Sequence, residues 1–180
     1  MDSHSSSTIN LENVFVTEAN LIVDEGEGFR HIESCLPQIL LCLSAEALGI
    51  MEVLNKLTVE YSKTRKQFGA PIGSFQALQH RMVDNFMAFE QSKSMVYRGI
   101  CESTSFNKND IDINQFLKTA HAVKALIAKN SKQIGDESIQ IHGGIGMTDE
   151  LNIGHFVKRL MMINVLFGDG DFHRQCFSQN

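Results

Sequence analysis

Arg65, Lys66 and Gln67 stand directly ahead of Gly69 and Gly73 in the stretch YSKTRKQFGAPIGSFQALQHRMVD (61–84), with Gln76 and Gln79 following. Cationic and amide donors crowded around a turn with little side-chain cover suit an anionic ligand such as a pyrophosphate. Taken alone, Arg65 also reads as a cation at a helix C-terminus, where it complements the dipole. A second stretch, IQIHGGIGMTDE (139–150), places Gly143, Gly144 and Gly146 almost side by side. One glycine suffices to end a helix. Three leave two readings open, a tight helix–helix turn and a loop that lets a ligand approach the backbone. Neither stretch is a Rossmann or P-loop match, because GGIG lacks G-x-G-x-x-G and follows a helical pattern rather than a strand.

Other chemistries lack a handle. The seven histidines (His4, His31, His80, His121, His142, His155, His173) show neither H-x-x-x-H nor H-E-x-x-H spacing, so no metal site is expected. There is no G-x-S-x-G and no cysteine with an evident activating partner. Cys35, Cys42, Cys101 and Cys176 form no C-x-x-C pair. Cys35 and Cys42 lie one heptad apart, which predicts core thiols in a reducing compartment.

A chain of 180 residues with 43% apolar and 21% charged residues is long enough to bury a core. A net charge of −5 argues against general nucleic-acid binding, which calls for a basic excess. The richest apolar run, ILLCLSAEALGIM, is interrupted by Ser44 and Glu46, so no membrane span is expected. MDSHSSSTIN lacks the basic and apolar regions of a secretory signal, and a cytoplasmic location is the expectation.

The elements that must hold the two stretches are mainly helical. Leu36, Leu40, Leu43, Ala47, Ile50, Leu54, Leu57 and Tyr61 make an a/d seam at alternating steps of four and three. After QFGAPIGS, Ser74 is placed to N-cap a second helix carrying Phe75, Leu78, Met82, Phe86 and Phe89. Met51, Met82, Phe86 and Phe89 are read as core. SFNKND (105–110) reads as a polar loop. Asp112 with Gln115 three residues on resembles a capping box opening a third helix through Phe116, Ala120, Val123, Ile127 and Ile134. Thr148, Asp149 and Glu150 then start a fourth helix running to about Phe167. The expected fold is an antiparallel four-helix bundle over residues 31–180. Residues 1–30 read as one or two short β-strands with a turn, because Ile9/Leu11 and Val14/Val16 alternate. Two lone strands are not stable in water, and this pattern asks for a partner sheet.

Together the two stretches, YxxxRKQFGxPIxxFQxxQ and, some 60 residues later, QIHGGxGxTxE, resemble the C-terminal helical domain of acyl-CoA dehydrogenases. The resemblance spans about residues 30–167, and INLENVFVTEANLIVDEGEGF resembles the last strand of that family's middle β-domain and its linker. The family's N-terminal helical domain and most of its β-domain have no counterpart in this sequence. The resemblance implies flavin adenine dinucleotide (FAD) lying between subunits. Arg65, Gln67 and Phe68 would touch its pyrophosphate and adenosine with Phe75 and Gln76 nearby, and Gln140, Ile141, His142, Gly143 and Gly144 would cradle the far side.

It implies α,β-dehydrogenation of an acyl-CoA thioester, with a carboxylate removing the α-proton. In many members that base is the Glu of a YEGT turn. The matching stretch here is LFGDGDFHRQ, where Gly168 takes the glutamate position and Asp169 follows one residue late. Asp169 is therefore the candidate base; the alternatives are a base from elsewhere, with Glu46, which interrupts an apolar run, as a candidate, or no proton abstraction by this chain. Asp171 is read as a turn or cap residue. Expected partners are acyl-CoA, an electron-transfer flavoprotein as acceptor, and either copies of this chain or a companion supplying the missing domains. Two other readings stay open: a related flavin oxidase or monooxygenase with an Asp base, and a non-catalytic helical assembly module.

Overall fold

The computed structural model describes residues 5–108 and 110–179, which leaves His4 outside the described residues. Three long helices, α2 (Leu36–Thr64), α3 (Gln76–Asn107) and α4 (Ile113–His142), and a shorter α5 (Ile153–Val165) form an up-down-up-down bundle. A short α1 (Gly28–Ser34) precedes it, and a final α6 (Gly170–Gln179) lies on α4. The core is continuous through Leu54, Val96, Phe116, Ile127, Ile134, Leu160 and Ile163. Asp112 caps α4 as its spacing predicts, its Oδ1 accepting from the Gln115 amide at 2.8 Å.

The buried stripe of α2 differs from the seam of large residues. It runs through Leu40, Ser44, Ala47, Met51, Leu54, Thr58 and Ser62, leaving Leu43 and Ile50 half-buried and Leu57 exposed. Small residues let neighbouring helices approach. Ser44 satisfies its hydroxyl internally by donating to the Leu40 carbonyl at 2.7 Å. Phe86 is not core: it is 59% exposed, and Asn85 takes the inward position beside it. The helical period puts adjacent residues about 100° apart, so burying Asn85 turns Phe86 outward.

Other boundaries also move. Ser74 does not cap α3; its hydroxyl donates to the Pro71 carbonyl within a short 3₁₀ turn, and Phe75 occupies the cap position. α3 continues through Ser105, Phe106 and Asn107 into the segment expected as loop. Thr148 does not open α5, which begins at Ile153. The Thr148 hydroxyl instead donates to the Ile145 carbonyl at 2.9 Å, closing a 3₁₀ turn over Gly143–Met147. Cys35, Cys42 and Cys101 are exposed and Cys176 half-buried, so none is a core thiol.

Residues 5–17 form no strand among the described residues. The two short strands of the fold lie instead at Lys66–Gln67 and Ala70–Pro71. Phe15, Ile22, Phe29 and Ile32 are largely exposed. The stretch 28–64 is long and apolar enough to cross a membrane by length and composition, despite Ser44 and Glu46. Leu40, Ala47, Met51 and Leu54 are fully buried in the bundle, and a third (33%) of the most apolar window of this stretch is buried.

Candidate nucleotide-binding groove and the α5–α6 turn

Arg65 leaves α2 in extended conformation, and the chain folds back through a hairpin in which β1 (Lys66–Gln67) pairs antiparallel with β2 (Ala70–Pro71). The Ile72 amide donates to the Arg65 carbonyl at 2.8 Å, locking the hairpin base. At its tip Phe68 adopts φ +52° and is 94% exposed. Left-handed backbone costs a residue with a Cβ about 1–2 kcal/mol. The fold holds a large aromatic ring out in solvent at a strained position, as functional sites tend to do.

α4 ends at His142, and Gly143 takes φ +65°, a conformation suited to glycine. A Cβ on Gly143 or Gly144 would meet nothing within 4 Å, so both present bare backbone to open space. Gly146 has a different role. A Cβ there would come within 3.0 Å of the His142 Cβ, so its glycine lets the 3₁₀ turn press onto the end of α4.

The two stretches meet. A groove of about 350 Å³ is lined by Arg65, Gln67, Phe68 and Phe75 on one side and Gln140, Ile141, His142, Gly143 and Gly144 on the other. Gln76 stands outside its lining, exposed at the first position of α3. Sequence reasoning missed Tyr61 and Arg81 as lining residues. Tyr61 is one helical turn before Arg65, a spacing that puts both on one face. Its aromatic character had been absorbed into the apolar seam.

Charge in the groove is uneven. Arg81 is committed to Glu137 at 2.5 Å, and that hydrogen bond raises its pKa further. Arg65 has no ion pair among the described residues and is exposed at the rim. Burial pushes the His142 imidazole below its ordinary pKa, and its Nδ1 lies 2.7 Å from the Ser138 carbonyl. A carbonyl only accepts, so Nδ1 carries a proton. The groove thus offers one uncommitted guanidinium, two amide side chains, exposed aromatic rings at Phe68 and Phe75, and open backbone. That donor set fits a phosphate diester and a flat ring.

Asp169 lies elsewhere. Counted from Ala128, which Gly170 approaches, to His142, about 20 Å of α4 separates the two places at 1.5 Å per residue. Asp169 is the N-cap of α6, its Oδ1 accepting from the Phe172 amide at 2.8 Å. Asp171 pairs with Arg174 at 2.6 Å on the exposed face. Gly168 has φ +110°, and a Cβ there would lie 2.4 Å from the Phe172 ring. The turn therefore has no room for a side chain at the position the resemblance gives to glutamate. Glu46 faces Arg159 in a two-bond pair at 2.6 and 2.8 Å.

Behind this turn lies a buried polar cluster that the sequence did not announce. Lys124 is fully buried, its Nζ donating to the Ile163 carbonyl at the end of α5. Burial lowers its pKa to about 8, opposed by the nearby Asp169 carboxylate. His121 on α4 and His173 on α6 are both buried, with their Nδ1 atoms 2.8 Å apart. Among the described residues no group of three or more His, Cys, Asp or Glu side chains is placed to hold a metal ion.

A four-helix bundle whose α2–α3 hairpin and α4 C-terminus line one open groove defines a class of helical domain. Residues 26–180 match the family model for the acyl-CoA dehydrogenase C-terminal domain, and the chain belongs to that family. The short-chain specific acyl-CoA dehydrogenase of Megasphaera elsdenii is 28% identical over 173 residues, covering 95% of this chain and 43% of the relative. Acyl-CoA dehydrogenase IpdE2 of Mycolicibacterium smegmatis is 40% identical over 119 residues, covering 66% of this chain and 34% of the relative. The structure of PigA with FAD and proline superposes with a TM-score of 0.82 at 27% identity, covering 93% of this chain and 42% of that one. The chain spans less than half the length of these relatives.

Proposed function

We propose that this chain is the C-terminal helical portion or small subunit of an FAD-dependent acyl-CoA dehydrogenase, with residues 31–180 the bundle and 1–30 the end of a β-domain. The observation that carries this is the shared groove of Arg65, the Phe68 hairpin and the bare Gly143–Gly144 backbone. Arg65 would neutralise pyrophosphate charge, Phe68 and Phe75 would face the adenine, and Gln67 and Gln140 would hydrogen-bond the sugar and phosphate edges. When bound, FAD supplies the hydride acceptor for α,β-dehydrogenation of an acyl-CoA thioester. The groove and Asp169 lie apart on one chain, which suits an oligomer where each chain grips a neighbour's flavin. The exposed apolar residues of 5–32 suit a β-sheet contributed by a companion chain or further domain. We place the assembly in the cytoplasm, with an electron-transfer flavoprotein as acceptor.

A second reading rests on the α5–α6 turn. Asp169 is engaged as a cap and Gly168 admits no side chain, which favours a chain that holds the nucleotide while another supplies the carboxylate. ADP is the direct probe of the shared claim. Calorimetric titration of the full chain should show ADP binding, weakened at least tenfold by Arg65→Ala. Equal binding by wild type and Arg65→Ala would refute the groove assignment.

A further inference from the structure

His121 and His173 face each other across the α4–α6 contact with Nδ1 atoms 2.8 Å apart. Neither nitrogen can accept unless the other donates, so this contact holds a single shared proton. The satisfying arrangement has His121 donating from Nδ1 and His173 accepting, which leaves the His173 Nε2 proton directed at the backbone of Phe167 and Gly168. That Nε2 is buried and makes no hydrogen bond of good geometry. Phe172 packs edge-on against both imidazoles, at ring separations of 6.5 and 5.2 Å. The charged group acting on His173 is Lys124, one turn along α4 from His121, and Asp169 at the turn acts in turn on Lys124. α5 presents the Ile163 carbonyl, already taken by Lys124. On α6 itself, Asp171 and Arg174 are paired on the exposed face.

The segment joining α6 to the bundle is a tight turn. Phe167 and Gly168 both have positive φ, at +59° and +110°. α6 is a ten-residue helix whose only fully buried side chain is His173. Lys118 over the Phe177 ring, at 5.6 Å, is a further contact and is exposed to solvent at its rim.

We propose that α6 is an acid-released latch, closed on α4 while His121 and His173 share one proton and opened about Phe167–Gly168 when the pair takes a second. A second proton sets two N–H groups against each other at a buried contact and adds a cation beside the Lys124 ammonium. Opening relieves both by hydrating the rings. It also carries away the Phe172 amide that Asp169 caps, so the latch sets the position of that carboxylate. Burial, followed by His121 and Lys124, brings the His173 pKa to about 4, and burial lowers that of His121 as well. The closed form therefore dominates at neutral pH and is progressively lost as pH falls from the ordinary histidine range towards 4. The latch does not depend on flavin binding, so its failure leaves the groove assignment standing.

The test is hydrogen exchange of the full chain followed by mass spectrometry between pH 7 and 4.5, with rates corrected for intrinsic pH dependence. With His173 at about 4 when closed and about 6.5 when open, opening of residues 170–179 should rise roughly twentyfold from pH 7 to pH 5. Amides of α2, α3 and α4 should keep their protection. His173→Gln retains an acceptor for His121 but does not titrate, and should flatten the α6 response. His121→Asn leaves His173 buried, so it should reduce the α6 rise without abolishing it, and it covers a folding failure of His173→Gln. A flat α6 profile in the wild type, an unchanged rise in the variants, or uniform opening of the whole bundle at pH 5 would each overturn the latch.

Discussion

Tyr61 stacks on His142 with ring centroids 4.3 Å apart, and its hydroxyl donates to the His142 carbonyl at 3.3 Å. One residue of α2 therefore clamps both the side chain and the main chain of the last residue of α4. Arg65 follows Tyr61 by one turn and Gly143 follows His142 directly, so this pair sets the spacing of the two groove walls. Tyr61→Phe keeps the ring and loses one hydrogen bond worth about 0.5–1.5 kcal/mol. It should leave ADP affinity within about threefold of wild type, whereas Tyr61→Ala should weaken ADP at least tenfold by freeing the Gly143 backbone. Equal affinities for the two variants would show that the stack does not position the groove.

Capping and basicity at Asp169 are separable. Asparagine caps helices as well as aspartate does, while alanine does not. Asp169→Asn should keep urea stability within about 0.5 kcal/mol, and Asp169→Ala should lose about 1 kcal/mol. In a reconstituted enzyme, anaerobic bleaching of the flavin by acyl-CoA should disappear with Asp169→Asn if this carboxylate removes the proton. Unchanged bleaching, with the stability order above intact, assigns Asp169 to the cap alone and the base to another chain.

Local chemistry explains which features could be read before the fold was known. Arg65, Gly143 and Gly144 were legible because each carries a residue-type requirement, a cation or bare backbone, whereas Phe68 came from the family resemblance alone. Nothing local brings residue 65 to residue 143; the resemblance implied that both stretches hold one flavin, and the antiparallel course of α2 and α4 brings them to one groove. The α2 seam misled because burial there favours close helix approach. Ser44 and Thr58 outcompete Leu43 and Leu57 for the inward face. Thr148 was a sound cap signal, but the Gly146 approach to α4 diverts the chain into a 3₁₀ turn first. His121 and His173 stood 52 residues apart with no shared period, so only the docking of α6 reveals the pair.

Gly168 is a steric test of the turn. Its φ of +110° strains any L side chain, and a Cβ would sit 2.4 Å from Phe172 Cδ1 and 3.2 Å from His173 Nε2. Gly168→Ala should cost about 2 kcal/mol or more in urea unfolding. Gly168→Glu should cost at least as much and should not create an active carboxylate without displacing α6. A Gly168→Ala protein as stable as wild type would mean that the α5–α6 turn is packed differently.

Lys124 supplies a signature at alkaline pH. Its folded pKa of about 8 lies below the ordinary 10.5 because burial disfavours the ammonium. Below pH 8 both folded and unfolded chains hold the proton, and the folded state bears the full burial penalty. Between about 8 and 10.5 the folded chain releases the proton first, so this group's contribution to stability rises with pH, by up to about 3 kcal/mol. Lys124→Met removes the titrating group at similar volume, while leaving the Ile163 carbonyl without its donor at a cost of about 1 kcal/mol. Urea midpoints of the two proteins from pH 7 to 10 should therefore diverge, with the wild type gaining on the variant as the solution becomes more alkaline. Parallel curves would mean that the Lys124 ammonium is hydrated in solution and that the interior contact with Ile163 does not form.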